Sequence, residues 1–341
     1  MKKIKITIII SVVFSVVSIG QTSKYRITQK IKIEGDNGWD CIRSDDEGSR
    51  LFVSHGTVVQ VVNQKDGKLL GTIANCKGVH DIALAHDFQK GFISNGKDSS
   101  VTVFDMKTLQ TLTNFKIPGV NPDIMLYDKF SKKVFVYNAR SNDATVLDVV
   151  TNKILATIPF GGNPEFSVSD GKGKIYVNIE DKSEIKVINA ITLKVEQTWP
   201  LSPGEEPTGL ALDNKTHRLF SACANKLMIV TDAESGKIIT KLAIGDGCDG
   251  SVFDEEKKRI YCSNGEGTMT VIEEKDANTF VVLETVATQK GARTLTINEK
   301  THHIYMPTAE YGVAPAPTAE HPKPRPKIVP GSFVILDIET L

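Results

Sequence analysis

The sequence has no excess of charge of either sign, because 41 lysines and arginines stand against 41 aspartates and glutamates in 341 residues. If the lysines at positions 2, 3 and 5 are removed with a leader, 38 basic residues remain against 41 acidic ones, a net charge near −3. General nucleic-acid binding depends on clustered basic residues. The balance therefore disfavours a nucleic-acid partner, although a local basic patch would be compatible with it.

Cysteine is scarce and never forms a Cys-x-x-Cys pair, which disfavours a cysteine-ligated metal site. The five cysteines are Cys41, Cys76, Cys223, Cys248 and Cys262. An odd number leaves at least one thiol free in any pairing scheme. A disulfide between Cys223 and Cys248 fits their positions in the repeat described below. Free thiols are the alternative, because cysteine is a common residue of protein cores.

No long helical periodicity occurs after the first twenty residues. Residues 1–20 combine basic residues, an apolar core from Ile6 to Val17, and the small residues Ser18 and Gly20 before Gln21. This pattern is typical of a secretory signal peptide; a retained anchor is the alternative, although the apolar stretch is short for a membrane span. We expect residues 21–341 to form one exported domain, periplasmic or extracellular, monomeric and without a transmembrane span.

From Trp39 onwards the chain repeats one module seven times. A short junction precedes an apolar strand in each copy, and its second residue recurs every 41 to 44 residues, at Asp40, Asp81, Asp123, Glu165, Thr208, Asp249 and Arg293. Each copy contains strand-sized runs of β-branched and aromatic residues with turn residues between them. A recurring four-stranded unit of this length is a propeller blade. The sequence therefore predicts an all-β, seven-bladed β-propeller with four antiparallel strands per blade.

The seventh copy supplies only three strands before Leu341, and the missing strand is predicted at the other end of the chain. Residues 25–34 precede the first junction as residues 153–160 precede the fourth. We therefore expect the N-terminal strand to pair beside the C-terminal strand and to complete blade seven. Such closure removes two exposed sheet edges; an open solenoid is the alternative.

The second-strand runs Tyr176-Val177-Asn178 and Phe135-Val136-Tyr137-Asn138, with the junction Gly162-Asn163-Pro164-Glu165, carry a family resemblance. They resemble the signature of YVTN-repeat β-propellers of the YncE-like type, over nearly the whole chain after residue 20. The junction proline is absent at Cys248 and Ala292. The resemblance implies a seven-bladed, usually exported propeller and no catalytic residue. Most such proteins have no assigned function, and nucleic-acid or protein binding is suggested for some.

The junctions and the loops between second and third strands share one face of a propeller, which we call the top face. Around the mouth of the central channel, the junction ring is expected to present five carboxylates and an arginine: Asp40, Asp81, Asp123, Glu165, Asp249 and Arg293. Like charges so placed raise each other's pKa or attract a cation, and oxygen ligands suit Ca²⁺. A cationic or polyhydroxyl ligand would also fit. The alternative is that each acid bonds the junction amides of its own blade.

Histidines on the same face add a second kind of ligand. His55, His80 and His321 are expected on top, where they could bind a transition metal together with Asp40 and Asp81. Asp40, His55, His80 and Asp81 are accordingly the candidates for catalysis. Their sequence spacing is not diagnostic, and histidines that face solvent or belong to turns are the alternative.

Blade seven departs from the repeat through a proline-rich loop at residues 307–332. Seven of the 14 prolines of the chain lie between Pro307 and Pro330. A loop of this length in a compact domain is usually functional or disordered, and this one is expected to lie over the channel mouth. Tyr311, His321 and Arg325 are its candidate ligand-binding residues. A rigid flap or a plug that seals the channel is the alternative.

These features favour a non-enzymatic binding or scaffold protein that holds a protein partner or small ligand with its top face. The alternative is a metal-assisted hydrolase, such as a lactonase, acting at the channel mouth. The sequence contains neither a Gly-x-Ser-x-Gly elbow nor a phosphate-binding loop that would support catalysis. A second alternative is single-stranded nucleic-acid binding by aromatic stacking and basic loops.

Overall fold

Seven four-stranded antiparallel sheets form a ring, which confirms the predicted all-β, seven-bladed β-propeller. The computed structural model describes residues 23–316, 318, 324 and 326–340. The expected leader at residues 1–20, His321 and Arg325 lie outside the described residues. Within the described part of the chain, helix is limited to two short 3₁₀ turns, His86–Phe88 and Glu180–Lys182. No described helix is long and apolar enough to cross a membrane.

The first four blades follow one another along the chain, and each runs from an inner to an outer strand. Blade one contains β2 (Ile42–Asp45), β3 (Arg50–His55), β4 (Val58–Asn63) and β5 (Leu69–Ile73). Blade two contains β6 (Val79–Ala85), β7 (Lys90–Asn95), β8 (Ser100–Asp105) and β9 (Thr111–Lys116). Blade three contains β10 (Pro122–Asp128), β11 (Lys133–Asn138), β12 (Asp143–Asp148) and β13 (Ile154–Pro159). Blade four contains β14 (Pro164–Ser169), β15 (Lys174–Ile179), β16 (Glu184–Asn189) and β17 (Lys194–Pro200).

The last three blades complete the ring. Blade five contains β18 (Pro207–Asp213), β19 (Arg218–Cys223), β20 (Leu227–Asp232) and β21 (Ile238–Ala243). Blade six contains β22 (Cys248–Asp254), β23 (Arg259–Asn264), β24 (Thr268–Asp276) and β25 (Thr279–Ala287). Blade seven contains β26 (Thr296–Ile297), β27 (Ile304–Thr308), β28 (Val334–Thr340) and, from the other end of the chain, β1 (Tyr25–Lys32).

The ring closes as the sequence predicts, because β1 is the fourth strand of blade seven. It pairs antiparallel with β28, from Tyr25 opposite Thr340 to Lys32 opposite Val334, with a bulge between Ile27 and Gln29. The ladder ends at Lys32, two residues before the end of the strand predicted at 25–34. Strand β28 therefore has a partner on each side, and neither of its backbone edges is left open.

The core lies between blades rather than within them. Each of seven buried apolar clusters combines mainly the residues of two adjacent blades, with one cluster at every joint of the ring. The second strands supply much of it: every residue of β11 after Lys133 is buried. Outer strands such as β9 contain only exposed and half-buried residues. Burying one large apolar side chain stabilises the fold by about 1.5–3 kcal/mol, so the joints hold the ring together.

Two polar positions of the second strands organise the top face. Asn95, Asn138 and Asn264 each donate from Nδ2 to side-chain oxygens at the start of the following third strand, at 2.7–3.2 Å. The Ser94 hydroxyl accepts from the Asp81 amide at 2.9 Å and lies within bonding distance of the Asp123 carbonyl, so it ties two successive junctions together. Asn138 of the family-like run therefore orders the turn into the third strand, whereas Asn178 donates to the Thr208 and Gly209 carbonyls of the next junction at 3.1 Å.

All five cysteines are buried and free, so of the two alternatives the disulfide between Cys223 and Cys248 is wrong and the free thiols are confirmed. Cys223 ends β19 and Cys248 begins β22. Both thiols are in the core, where burial raises the pKa of Cys223 to about 12. A raised pKa keeps a thiol protonated and unreactive.

Candidate ligand-binding site at the channel mouth

Contacts between blades show that several junction side chains converge at the channel mouth, the top-face end of the central channel. Arg293 of blade seven contacts Asp40 of blade one, with Nη2 to Oδ1 at 3.1 Å, and forms an ion pair with Asp249 of blade six. His80 of blade two contacts Asp40 and Asp123 of blade three. We call this group the mouth cluster: Asp40, His80, Asp123, Glu165, Asp249 and Arg293.

The most compact part of the mouth cluster is a triad of one histidine and two aspartates. His80 Nδ1 lies 2.7 Å from Asp40 Oδ2 and 3.4 Å from Asp123 Oδ1. One ligand atom from each residue lies within 4.8 Å of the other two. All three side chains are half-buried. Among the described residues, the triad is the one group of three or more metal-ligating side chains within metal-binding distance of one another.

Protonation of the triad is coupled to its surroundings. Burial alone would lower the pKa of His80, but the hydrogen bond to Asp40 and the charge of Asp123 raise it above its ordinary value. Burial raises the pKa of Asp123, and the nearby Asp40 carboxylate adds to the shift. Burial, followed by the charges of Asp123 and Glu180, also raises the pKa of Glu165 well above its usual range. Burial and the neighbouring carboxylates therefore favour the neutral, protonated forms of Asp123 and Glu165.

Asp81 has a different environment from the other ring acids. Its carboxylate is buried and accepts hydrogen bonds from Arg43 Nε at 2.7 Å, the Ile82 amide at 2.7 Å and the Met125 amide at 2.9 Å. Arg43 lies in blade one and Met125 in blade three, so Asp81 links three blades. Its oxygens are already occupied by these donors.

His55 also lies apart from the triad. Its ring is buried, with Nδ1 2.7 Å from Gln60 Oε1 and Nε2 3.0 Å from the Asn37 carbonyl. Its centroid lies 4.5 Å from the Phe333 ring. The structure thus brings His80 and Asp40 together with Asp123, but it brings neither His55 nor Asp81 into that group.

The two described ends of the proline-rich loop of blade seven line a cavity of about 1070 Å³ beside the mouth cluster. Pro307 and Thr308 still belong to β27, so the connection runs from 309 to 333 rather than from 307. The Gly312 amide donates to the Lys327 carbonyl and the Val329 amide to the Glu310 carbonyl, both at 2.8 Å. These bonds make a short two-stranded base for the loop, and we call the cavity that this base lines the loop cavity.

Aromatic and charged side chains share the wall of the loop cavity. Trp39 stacks on Phe333 with centroids 4.9 Å apart, and the Tyr311 ring is 6.1 Å from Trp39. Trp39 Nε1 is buried and has no hydrogen-bond partner among the described residues. Arg293 belongs both to this wall and to the mouth cluster, so the two sites are continuous.

A glycine lets Tyr311 approach the wall. Gly291 has φ +88°, and a Cβ there would lie 2.7 Å from Tyr311 Cε2. Only glycine meets both demands at low cost. Trp39 is the lining residue that the sequence reasoning missed. Two features of the sequence could have identified it. It is one of only two tryptophans, and it occupies a junction position where three other blades carry proline.

No protein-family model matches the chain, and no curated protein matches its sequence. Solved structures do match. Kuenenia stuttgartiensis hydrazine synthase is 16% identical with a TM-score of 0.68, over 80% of this chain and 94% of that one. The structure of U3-55K is 10% identical with a TM-score of 0.74, over 90% and 97%. The WD40 repeats of RRP9 are also 10% identical with a TM-score of 0.74, over 91% and 97%. At these identities the likeness supports the propeller fold and nothing finer.

Proposed function

We propose that this protein is an exported, non-enzymatic β-propeller of the YncE-like type that binds a protein partner or small ligand with its top face. The observation that carries the proposal is the loop cavity. It combines aromatic rings for contact area with a few polar groups for orientation, as ligand sites usually do. Trp39 Nε1 is a buried donor with no acceptor in the described part of the chain, and a ligand that supplied one would satisfy it.

The charge pattern of the top face favours such a ligand over nucleic acid. Lys182 lies 3.5 Å from Asp181, and Lys226 lies 3.3 Å from Asp246. Basic side chains that are paired with neighbouring acids offer less net positive potential to a phosphate backbone than unpaired ones.

The test uses Trp39 as a reporter. In a Trp199→Phe background, Trp39 is the one remaining tryptophan. Ligands that raise the melting temperature in a thermal-shift screen should change its emission, because they contact the wall of the loop cavity. Replacing residues 309–330 by a short Gly/Ser linker should abolish both effects. Phe130→Ala, at an exposed aromatic residue outside the cavity, should abolish neither. Binding that survives the linker replacement would show that the loop is only a flap.

A specific observation also supports a second candidate, a metal-assisted hydrolase built on Asp40, His80 and Asp123. Imidazole together with carboxylate suits Mn²⁺, Fe²⁺ or Zn²⁺ better than the all-oxygen shell that Ca²⁺ prefers. The three residues would hold the ion, and it would polarise water or a carbonyl group. Arg293 opposes cation binding, because its positive charge is already paired with the Asp40 carboxylate.

Calorimetric titration with MnCl₂, ZnCl₂ and CaCl₂ tests this candidate. Binding through the triad predicts heat with Mn²⁺ or Zn²⁺ that Asp123→Asn removes. Asp246→Asn, an exposed top-face acid paired with Lys226, serves as the control and should bind as the unmodified protein does. Absence of heat with all three ions rejects the metal site, and a bound ion without hydrolysis of ester or lactone substrates leaves only a binding role.

A further inference from the structure

A pair of buried carboxyl groups lies at the joint between blades five and six, on the face opposite the mouth cluster. Asp213 is the last residue of β18, and Glu274 lies in β24 next to a bulge in its pairing with β25. Their side chains belong to residues that are 3% and 1% exposed. Ionised carboxylates are almost never buried unless they are paired, so this pair needs a compensating group.

The hydrogen bonds at the pair cannot be satisfied by the hydroxyl of Thr216 alone. Thr216 Oγ1 lies 2.8 Å from Asp213 Oδ2 and 2.7 Å from Glu274 Oε1. A hydroxyl carries one proton and can donate to only one of these oxygens. The other contact brings two oxygens to hydrogen-bond distance and requires a proton from a carboxyl group. Glu274 Oε2 has no partner among the described residues, whereas Asp213 Oδ1 accepts from the Lys215 amide at 2.7 Å.

The cations near the pair are engaged elsewhere or act only at a distance. Arg218 donates to Asp232 and to the carbonyls of residues 216, 217 and 277. Lys215 pairs with Glu255 at 2.9 Å. Lys258 acts on Glu274 through its charge, with no side-chain hydrogen bond between them in the described structure. The opposite residue on β25 is Phe280, which is apolar and buried.

We infer that Asp213, Thr216 and Glu274 form a single-proton site in which Glu274 is a neutral acid, and that this proton clasps blade five to blade six. With the proton present, Glu274 and Thr216 each have a hydrogen to donate, and only Asp213 is charged. Loss of the proton leaves two buried carboxylates with one hydroxyl between them. Their repulsion then acts across the joint and loosens it.

The direction of the pH dependence follows from linkage. Burial raises the pKa of Glu274 from an ordinary value of 4.5 to about 7, the Thr216 hydroxyl partly offsets the shift, and Asp213 adds to it. A carboxyl with a raised pKa binds more protons in the folded state than in the unfolded state. Its favourable contribution is therefore present at low pH and is lost as the pH rises from the unfolded pKa through the folded one, with no further change above that.

The experiment compares melting temperatures of the full chain between about pH 5 and about pH 8, the window in which this linkage acts. Glu274→Gln should make the decline shallower than in the unmodified protein, because an amide keeps a donor and cannot titrate; the raised pKa values of Asp123 and Glu165 account for a decline that remains. Glu234→Gln removes a charge from an exposed turn of blade five on the same face and should leave the decline intact. Carboxyl ¹³C NMR should show a titration near neutral pH that only Glu274→Gln removes.

A further variant separates the contribution of the Thr216 hydroxyl from that of the Glu274 carboxyl. Thr216→Val removes the hydroxyl alone, and since the hydroxyl lowers the pKa of Glu274, the decline should move to higher pH. This variant also decides the matter if Glu274→Gln does not fold. A Glu274→Gln protein with the slope of the unmodified protein would overturn the inference, and so would a Glu274 carbon signal that titrates in the ordinary range for glutamate.

Discussion

Asp81 and Asp249 occupy the same position of two repeats, yet their surroundings predict opposite sensitivities. Asp81 is buried and holds Arg43 and two backbone amides. Asp81→Ala should lower the free energy of unfolding by about 3 kcal/mol, near the low end for breaking a buried pair, because the Arg43 side chain is still 30% exposed. Asp249→Ala removes a partner from half-exposed Arg293 and should cost about 0–1 kcal/mol. Urea unfolding of both variants measures the contrast, and equal losses would contradict it.

At the residue scale the sequence could therefore predict the ring of acids but not what each acid does. Alignment of the repeats gives Asp40, Asp81 and Asp249 the same position, because it reflects only where each residue lies along the backbone of its blade. Their environments differ through residues of neighbouring blades. Arg43 reaches Asp81 from the neighbouring blade, and Arg293 reaches Asp40 and Asp249. Such cross-blade contacts depend on side-chain direction in three dimensions, which a repeat pattern does not carry.

At the scale of the elements, strands with a buried apolar face were predictable and the irregular connections were not. The second strands, such as β11, are almost fully buried, so hydrophobic and β-branched runs identify them. The inner strand of blade seven shrinks to β26, two residues long. Before it, the Ala292 and Arg293 amides donate to the carbonyls of residues 289 and 291. Local bonds replace the strand ladder in this segment, which forms part of the wall of the loop cavity.

The blade-seven loop shows the same limit. Its prolines correctly predicted an interruption of the repeat, and its base is a pair of backbone bonds between residues 310–312 and 327–329. Tyr311 reaches the cavity wall because Gly291, in another connection, leaves space for its ring. The partnership is between two segments that the sequence separates by twenty residues, so only the folded chain shows that they form one site.

At the scale of the whole molecule, closure by β1 is the property that makes the ring one cooperative unit. Tyr25 and Ile31 of β1 are 6% and 2% exposed and pack in two different joints. Each such side chain contributes about 1.5–3 kcal/mol by burial. Without β1, strand β28 would present an open edge, which is a template for association with other chains.

Removing residues 23–32 should therefore lower the melting temperature sharply and cause aggregation, because it uncovers both joints and the β28 edge. Light scattering during a thermal ramp measures both effects. A synthetic peptide of residues 23–34, added in excess, should restore the melting temperature by binding the folded state, since it can re-form the ladder from Tyr25 to Lys32. A scrambled peptide of the same composition is the control. If the shortened chain stayed monomeric with an unchanged melting temperature, pairing of β1 with β28 would not be needed for a stable ring.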